Sequence, residues 1–107
     1  MPTTAQIEQA MATHFAAWNR KDRDTWMRNF APDAVLEDPV GGPEKRGRDA
    51  IAKSWDNSFT NGQDWTIEPL FQCICGNEAA HLVRSRGIVG GKQVEIHGVE
   101  IYTIDDP

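Results

Sequence analysis

Basic residues are scarce in this chain. Its 11 Lys and Arg stand against 16 Asp and Glu, for a net charge of −5 and a pI near 5.0. The basic residues are also scattered, as Lys45, Arg46 and Arg48, then Arg84 and Arg86. No element carries the cationic stripe that binding a nucleic acid requires. No apolar run approaches the roughly 20 residues of a membrane span, and no basic segment leads into an apolar one at the N-terminus. Neither a membrane partner nor a secretory leader is therefore expected. Cysteine is limited to Cys73 and Cys75, which share one strand face but lie too close in sequence for an ordinary bridge. Free thiols suit a reducing, cytoplasmic setting. His81 and His97 lack helical or strand spacing to any clear ligand set, so no metal site is read. Gly41-Gly42 and Gly90-Gly91 lack the strand–glycine–helix surroundings of a phosphate loop and read as turns.

What remains is 107 residues that are 39% hydrophobic, enough for one domain (1–107) with a modest pocket. Thr3 and Gln6 form a capping-box signal. Ile7, Met11, His14, Phe15 and Trp18 then trace one helical stripe, so His14 lies on an apolar face. Asp22 or Asp24 caps a second helix, with Trp26, Met27 and Phe30 inward and Pro32 as its stop. A strand covers Ala34 to Asp38. After a Gly/Pro loop through Arg46-Gly47, a third helix runs from Asp49, with Ile51, Trp55 and Phe59 in register. Three strands follow: Trp65 to Cys75, with Pro69 marking an edge or bulge; Ala79 to Val89; and Lys92 to Ile104, entered by the Gly90-Gly91 hairpin. Helices first and antiparallel strands after read as α+β, with the helices on one face of the sheet.

Three ionisable residues interrupt apolar stripes. Leu36 and Asp38 share a strand face, and a rigid Pro39 turn follows at once. Glu100 stands in the row Val94, Ile96, Gly98, Glu100, Tyr102, Ile104, where burial disfavours its charged form. A neutral carboxyl donates a hydrogen bond, as a carboxylate cannot. With His14 these make a base and two donors, a set suited to abstracting a proton beside a carbonyl and stabilising the enolate oxygen. Each also has a plainer reading. His14 fits a core histidine, Asp38 a turn cap, and Glu100 a cross-strand partner of Arg84 or Arg86.

The run Phe30-Ala31-Pro32-Asp33-Ala34-Val35-Leu36-Glu37-Asp38-Pro39-Val40-Gly41, with Gly47 and Ala50-Ile51 beyond it, resembles the ketosteroid isomerases and their SnoaL-like relatives of the NTF2-like superfamily. The resemblance implies a cone, in which a curved, mostly antiparallel sheet wraps the N-terminal helices around a pocket. It places Asp38 on the catalytic base, Glu100 on a protonated second acid, His14 on an oxyanion tyrosine and Trp55 on a tyrosine supporting it. It also implies that one C-terminal strand of the family is missing after Asp106-Pro107.

The expected function is a cofactor-independent, steroid Δ-isomerase-like proton transfer on a small apolar ketone. The catalytic residues would be Asp38, Glu100 and His14, and the substrate would lie against Leu36, Trp18, Trp55, Phe59 and Ile96 in an enclosed pocket. The alternatives are an epoxide hydrolase or a polyether or polyketide cyclase, with Asp64 or Glu68 as the second acid, and a non-catalytic NTF2-like binding or dimerisation module. A homodimer through the outer sheet face, which carries Val99 and Ile101, is also expected.

Overall fold

Thr3 opens the first helix by a reciprocal pair of bonds. Its hydroxyl accepts from the Gln6 amide at 3.1 Å, and the Gln6 side chain accepts from the Thr3 amide at 2.9 Å. Such a cap is worth about 1 kcal/mol. In the computed structural model, which describes residues 1–106, helix α1 spans Thr4–Asn19 and buries Ile7, Met11, His14, Phe15 and Ala17. Lys21, in the left-handed region at φ 61°, turns the chain into α2, Arg23–Arg28. Asp22 caps α2 by accepting from the Thr25 amide at 3.2 Å.

Strand β1 (Val35–Glu37) pairs antiparallel with β2 (Glu44–Arg46). Sequence patterning leaves β2 inside a loop and starts the next helix at Asp49. Glu44-Lys45-Arg46 has no apolar alternation, and its strand character comes from backbone pairing to β1. Helix α3 then begins at Gly47 and ends at Ser58.

The larger sheet is β3 (Asp64–Cys75), β4 (Glu78–Val89) and β5 (Lys92–Thr103), in that order and antiparallel throughout. Two-residue turns join them. At Gly90 and Gly91 both φ angles are positive, 58° and 77°, as a hairpin that follows the strand twist requires. Between Pro69 and Phe71 the register to β4 slips by one residue. Ile67 and Pro69 therefore face inward before the slip, and Gln72 and Ile74 after it.

Two apolar clusters hold the layers together. Ile7, Met11 and Phe15 pack on Ala79 and Val83, fixing α1 to the inner sheet face. Ala17, Trp26, Ile51 and Trp55 join the three helices, with Trp18, Met27, Phe30, Leu36 and Phe59 around them. Full burial of each large side chain contributes about 1.5–3 kcal/mol. His14 lies at the seam, its ring within 6 Å of those of Phe15, Trp26, Phe30 and Tyr102. Among the described residues no helix is long and apolar enough to cross a membrane.

Candidate active site

Strand alternation on β5 points Glu100 and Tyr102 inward, while Glu95, His97, Val99 and Ile101 are exposed. The pairing register sets Glu100 opposite His81. Arg84 and Arg86 occupy the other face, where Arg84 meets Glu68 at 2.7 Å and Arg86 meets Glu95 at 3.0 Å. A cross-strand arginine therefore does not account for the Glu100 carboxyl.

Tyr102 is the residue that sequence reasoning missed. Its hydroxyl donates to Oε1 of Glu100 and lies 3.2 Å from Nε2 of His14. One phenol thus joins α1 to β5 through the two predicted groups. The available signal was that the chain's single tyrosine stands two residues beyond Glu100 on the same face.

Burial pushes the Glu100 carboxyl up from its ordinary value; the Tyr102 bond opposes this, and the charge of Asp38 adds to it. Burial, with Glu100 and Asp38 adjacent, also raises Tyr102, which remains a phenol. Burial and the neighbouring His81 lower His14 to about 4. His14 is therefore a neutral imidazole near pH 7. It is 9% exposed and its Nε2 is engaged by Tyr102. That contact connects His14 to Glu100 through Tyr102.

Asp38 stands just past β1 at a cis Asp38–Pro39 peptide, in a turn closed by a Gly42 amide bond to the Pro39 carbonyl at 2.9 Å. Glu37, not Asp38, accepts from the Gly41 amide there. Asp38 is exposed to solvent, yet its charge reaches Glu100 and Tyr102. Three elements therefore bring Asp38, Glu100 and His14 to one region.

The apolar residues divide. Trp18, Leu36 and Phe59 are half-buried around Trp55, which is only 6% exposed and belongs to the helix core. Ile96 follows the inward row but is 54% exposed, because β5 extends there beyond the helix layer's cover. Two surface grooves lie elsewhere, one between α1 and β3 at Met11, Phe15 and Gln72, another along β3 and β4 at Glu68 and Arg84. Asp64 and Glu68 are exposed and ion-paired, to Lys21 at 3.2 Å and to Arg84 at 2.7 Å. Among the described residues no three His, Cys, Asp or Glu cluster as metal ligands.

These features define a class: an α+β, NTF2-like cone whose sheet carries a buried carboxyl on its inner face, with a second, exposed carboxyl nearby. A family model of the SnoaL-like domain matches residues 11–107, and the chain belongs to that family. It is 28% identical over 102 residues to a steroid Δ-isomerase of Nocardioides simplex, covering 95% of this chain and 81% of that protein. In fold it matches an epoxide hydrolase/cyclase-like enzyme of pyran-ring formation in the polyether salinomycin, with a TM-score of 0.89 at 24% identity, covering 98% of this chain and 84% of that one. An LEH-like epoxide hydrolase of M. tuberculosis matches with a TM-score of 0.85 at 20% identity, covering 98% and 77%.

Proposed function

We propose that this protein moves a proton next to a ketone in a small apolar substrate, with a 3-oxo-Δ5 steroid as the nearest substrate class. The observation that carries the reading is the state of Glu100. It is a buried carboxyl held toward its neutral form, bonded by Tyr102 and close to an exposed carboxylate, Asp38. Asp38 takes the proton from carbon, and the electron pair moves into the carbonyl. Glu100 donates a hydrogen bond to the resulting enolate oxygen. Asp38 then returns the proton to a more distant carbon, so the reaction consumes nothing and calls for no cofactor. Similarity to the Nocardioides isomerase supports the same chemistry. The test is conversion of a β,γ-unsaturated ketone to its conjugated isomer, followed by ultraviolet absorbance and compared among the parent, Glu100→Gln and Glu100→Ala.

A second reading is favoured by the exposure of Asp38 to water. A carboxylate in that position can activate water while a neutral Glu100 protonates an epoxide oxygen, which is hydrolase or cyclase chemistry. The product distinguishes the two, since an epoxide hydrolase adds the elements of water and an isomerase adds none. The same exposure suits a non-catalytic binding module. Burial that holds Glu100 toward its neutral form close to Asp38 favours chemistry over such a module.

The outer sheet face is assigned to a second copy of the chain. Phe71, Leu82 and Val99 form a cross-strand row, 65%, 43% and 71% exposed, next to the row Cys73, Ala80 and Ile101. Arg84 and His97 flank one side of these rows and Glu78 the other. A two-fold axis between the apolar rows sets Arg84 of each copy against Glu78 of its mate. The two free, exposed thiols suit a reducing cytoplasm, to which we assign the protein.

A further inference from the structure

We infer that His14 and Tyr102 are positioning residues that decide which oxygen of Glu100 carries the acid proton, and hence whether Glu100 meets a substrate as donor or acceptor. The inference deepens the role proposed for Glu100 above and rests on that reading for its catalytic meaning.

Each group along this path holds a fixed number of protons. A neutral imidazole has one N–H, a phenol has one O–H, and a neutral carboxyl has one O–H. Tyr102 touches His14 at Nε2 and Glu100 at Oε1. Suppose first that His14 carries its proton on Nε2. It then donates to the Tyr102 oxygen, the phenol proton goes to Oε1, and a neutral Glu100 must hold its own proton on Oε2. Among the described residues no protein group bonds Oε2, so that proton is free for a substrate oxygen. Suppose instead that His14 carries its proton on Nδ1. Nε2 then accepts the phenol proton, Glu100 spends its own proton on the Tyr102 oxygen, and Oε2 presents only lone pairs. The donor role proposed for Glu100 requires the first arrangement, which leaves the acid proton on the oxygen that no described protein group bonds.

The surroundings keep the chain in this form. The titratable groups around Glu100 are Tyr102 on its own strand, His14 on α1, His81 on β4 and Asp38 in the turn after β1. None of them is a permanent cation. His81 is itself 1% exposed, and its Nε2 lies 2.8 Å from Oε1 of Gln72, which makes that nitrogen the donor. His14 therefore has no carboxylate of its own to charge it, and its single N–H is free to orient the phenol.

The experiment uses the whole chain and two readouts. Long-range 1H–15N spectra of the imidazoles report the His14 tautomer, and the 13C shift of the Glu100 carboxyl reports its titration. The expected results are an Nε2–H tautomer for His14 and an upward move of the Glu100 midpoint in Tyr102→Phe, because the phenol bond opposes the effect of burial. His14→Gln, which keeps an N–H donor, should retain the parent midpoint and its affinity for a phenol that mimics an enolate; His14→Leu should lose affinity. An Nδ1–H tautomer, or a Glu100 midpoint unmoved by Tyr102→Phe, would overturn the inference. Neither readout needs turnover. If both come out as expected and no ketone is isomerised, the proposed reaction fails while the proton placement stands. If ketone is isomerised and the midpoint does not move, the placement fails alone.

Discussion

The Tyr102 hydroxyl lies 3.2 Å from Nε2 of His14, across 88 residues of sequence, and donates to the Glu100 carboxyl two residues before it. This bridge ties the first helix to the last strand at the point where the chemistry is proposed. It also gives the buried His14 imidazole a polar partner.

Burial at both ends of this bridge makes stability depend on pH. His14 is lowered to about 4 from an ordinary 6.5. Between those values the unfolded chain binds the proton and the folded chain does not. The His14 contribution is therefore complete above about pH 6.5 and is lost as pH falls through about 4, with an upper bound on the order of 3 kcal/mol. Glu100 has the opposite sign. Its carboxyl is raised, so its contribution is present below the ordinary carboxylate value and lost as pH rises through the folded one. Urea unfolding at pH 4.5 and 7 should show a smaller pH difference in His14→Gln than in the parent; an equal difference would contradict the neutral assignment.

Glu100 should separate its donor role from its packing role. Removing an oxyanion donor typically costs about 10² to 10³ in rate. Glu100→Gln keeps an N–H donor and should retain part of the activity and of the affinity for enolate-like phenols. Glu100→Ala should lose more of both. Equal phenol binding by both variants and the parent would make the acid structural.

Trp65 and Gly87 give a test of the fold independent of catalysis. A Cβ on Gly87 would stand 2.4 Å from Cε3 of Trp65 and 2.8 Å from the Asp64 carbonyl oxygen. Trp65 is the register partner of Gly87 across the strand pair, so Gly87→Ala must move both ring and backbone. Overpacking of this kind costs about 1–3 kcal/mol. A lower thermal midpoint is predicted, with partial recovery in the Trp65→Leu background; an unchanged midpoint would show that the edge of the sheet gives way freely.

The proposed dimer predicts that Val99→Asp yields a monomer with its fold intact, because Val99 is 71% exposed in one chain and belongs to the apolar row Phe71, Leu82 and Val99. Sedimentation of the parent should show a species of twice the chain mass that dissociates on dilution. A parent monomeric at all concentrations would remove this assignment.

The elements that can be read from sequence are those whose signal is local. The Thr3–Gln6 cap, the Ile7-Met11-His14-Phe15 stripe, the Gly90-Gly91 turn and the alternation around Glu100 each depend on neighbours a few residues away, and each appears in the structure. Pro69 marked the irregularity in β3, but the register slip that turns Gln72 inward shows only once β4 is paired. β2 was illegible because its pattern is polar throughout and its partner supplies the geometry. At the site, Asp38, His14 and Glu100 stand out as ionisable residues on apolar stripes. Tyr102 does not, because a tyrosine in an apolar row looks like packing until its hydroxyl finds a partner on α1. The burial of Trp55 and the exposure of Ile96 depend on how far the helix layer covers the sheet, which no single segment encodes.

The central claim is that Asp38 moves the proton. Its most direct test is the rate at which a 3-oxo-Δ5 steroid becomes the conjugated Δ4 ketone in the parent and in Asp38→Asn. Asp38 is exposed, so the variant should keep the parent's thermal midpoint. The account predicts that the parent converts the steroid and that Asp38→Asn is slower by about 10² to 10⁴. A parent that leaves the steroid unchanged, or a variant that converts it at the parent's rate, would contradict it.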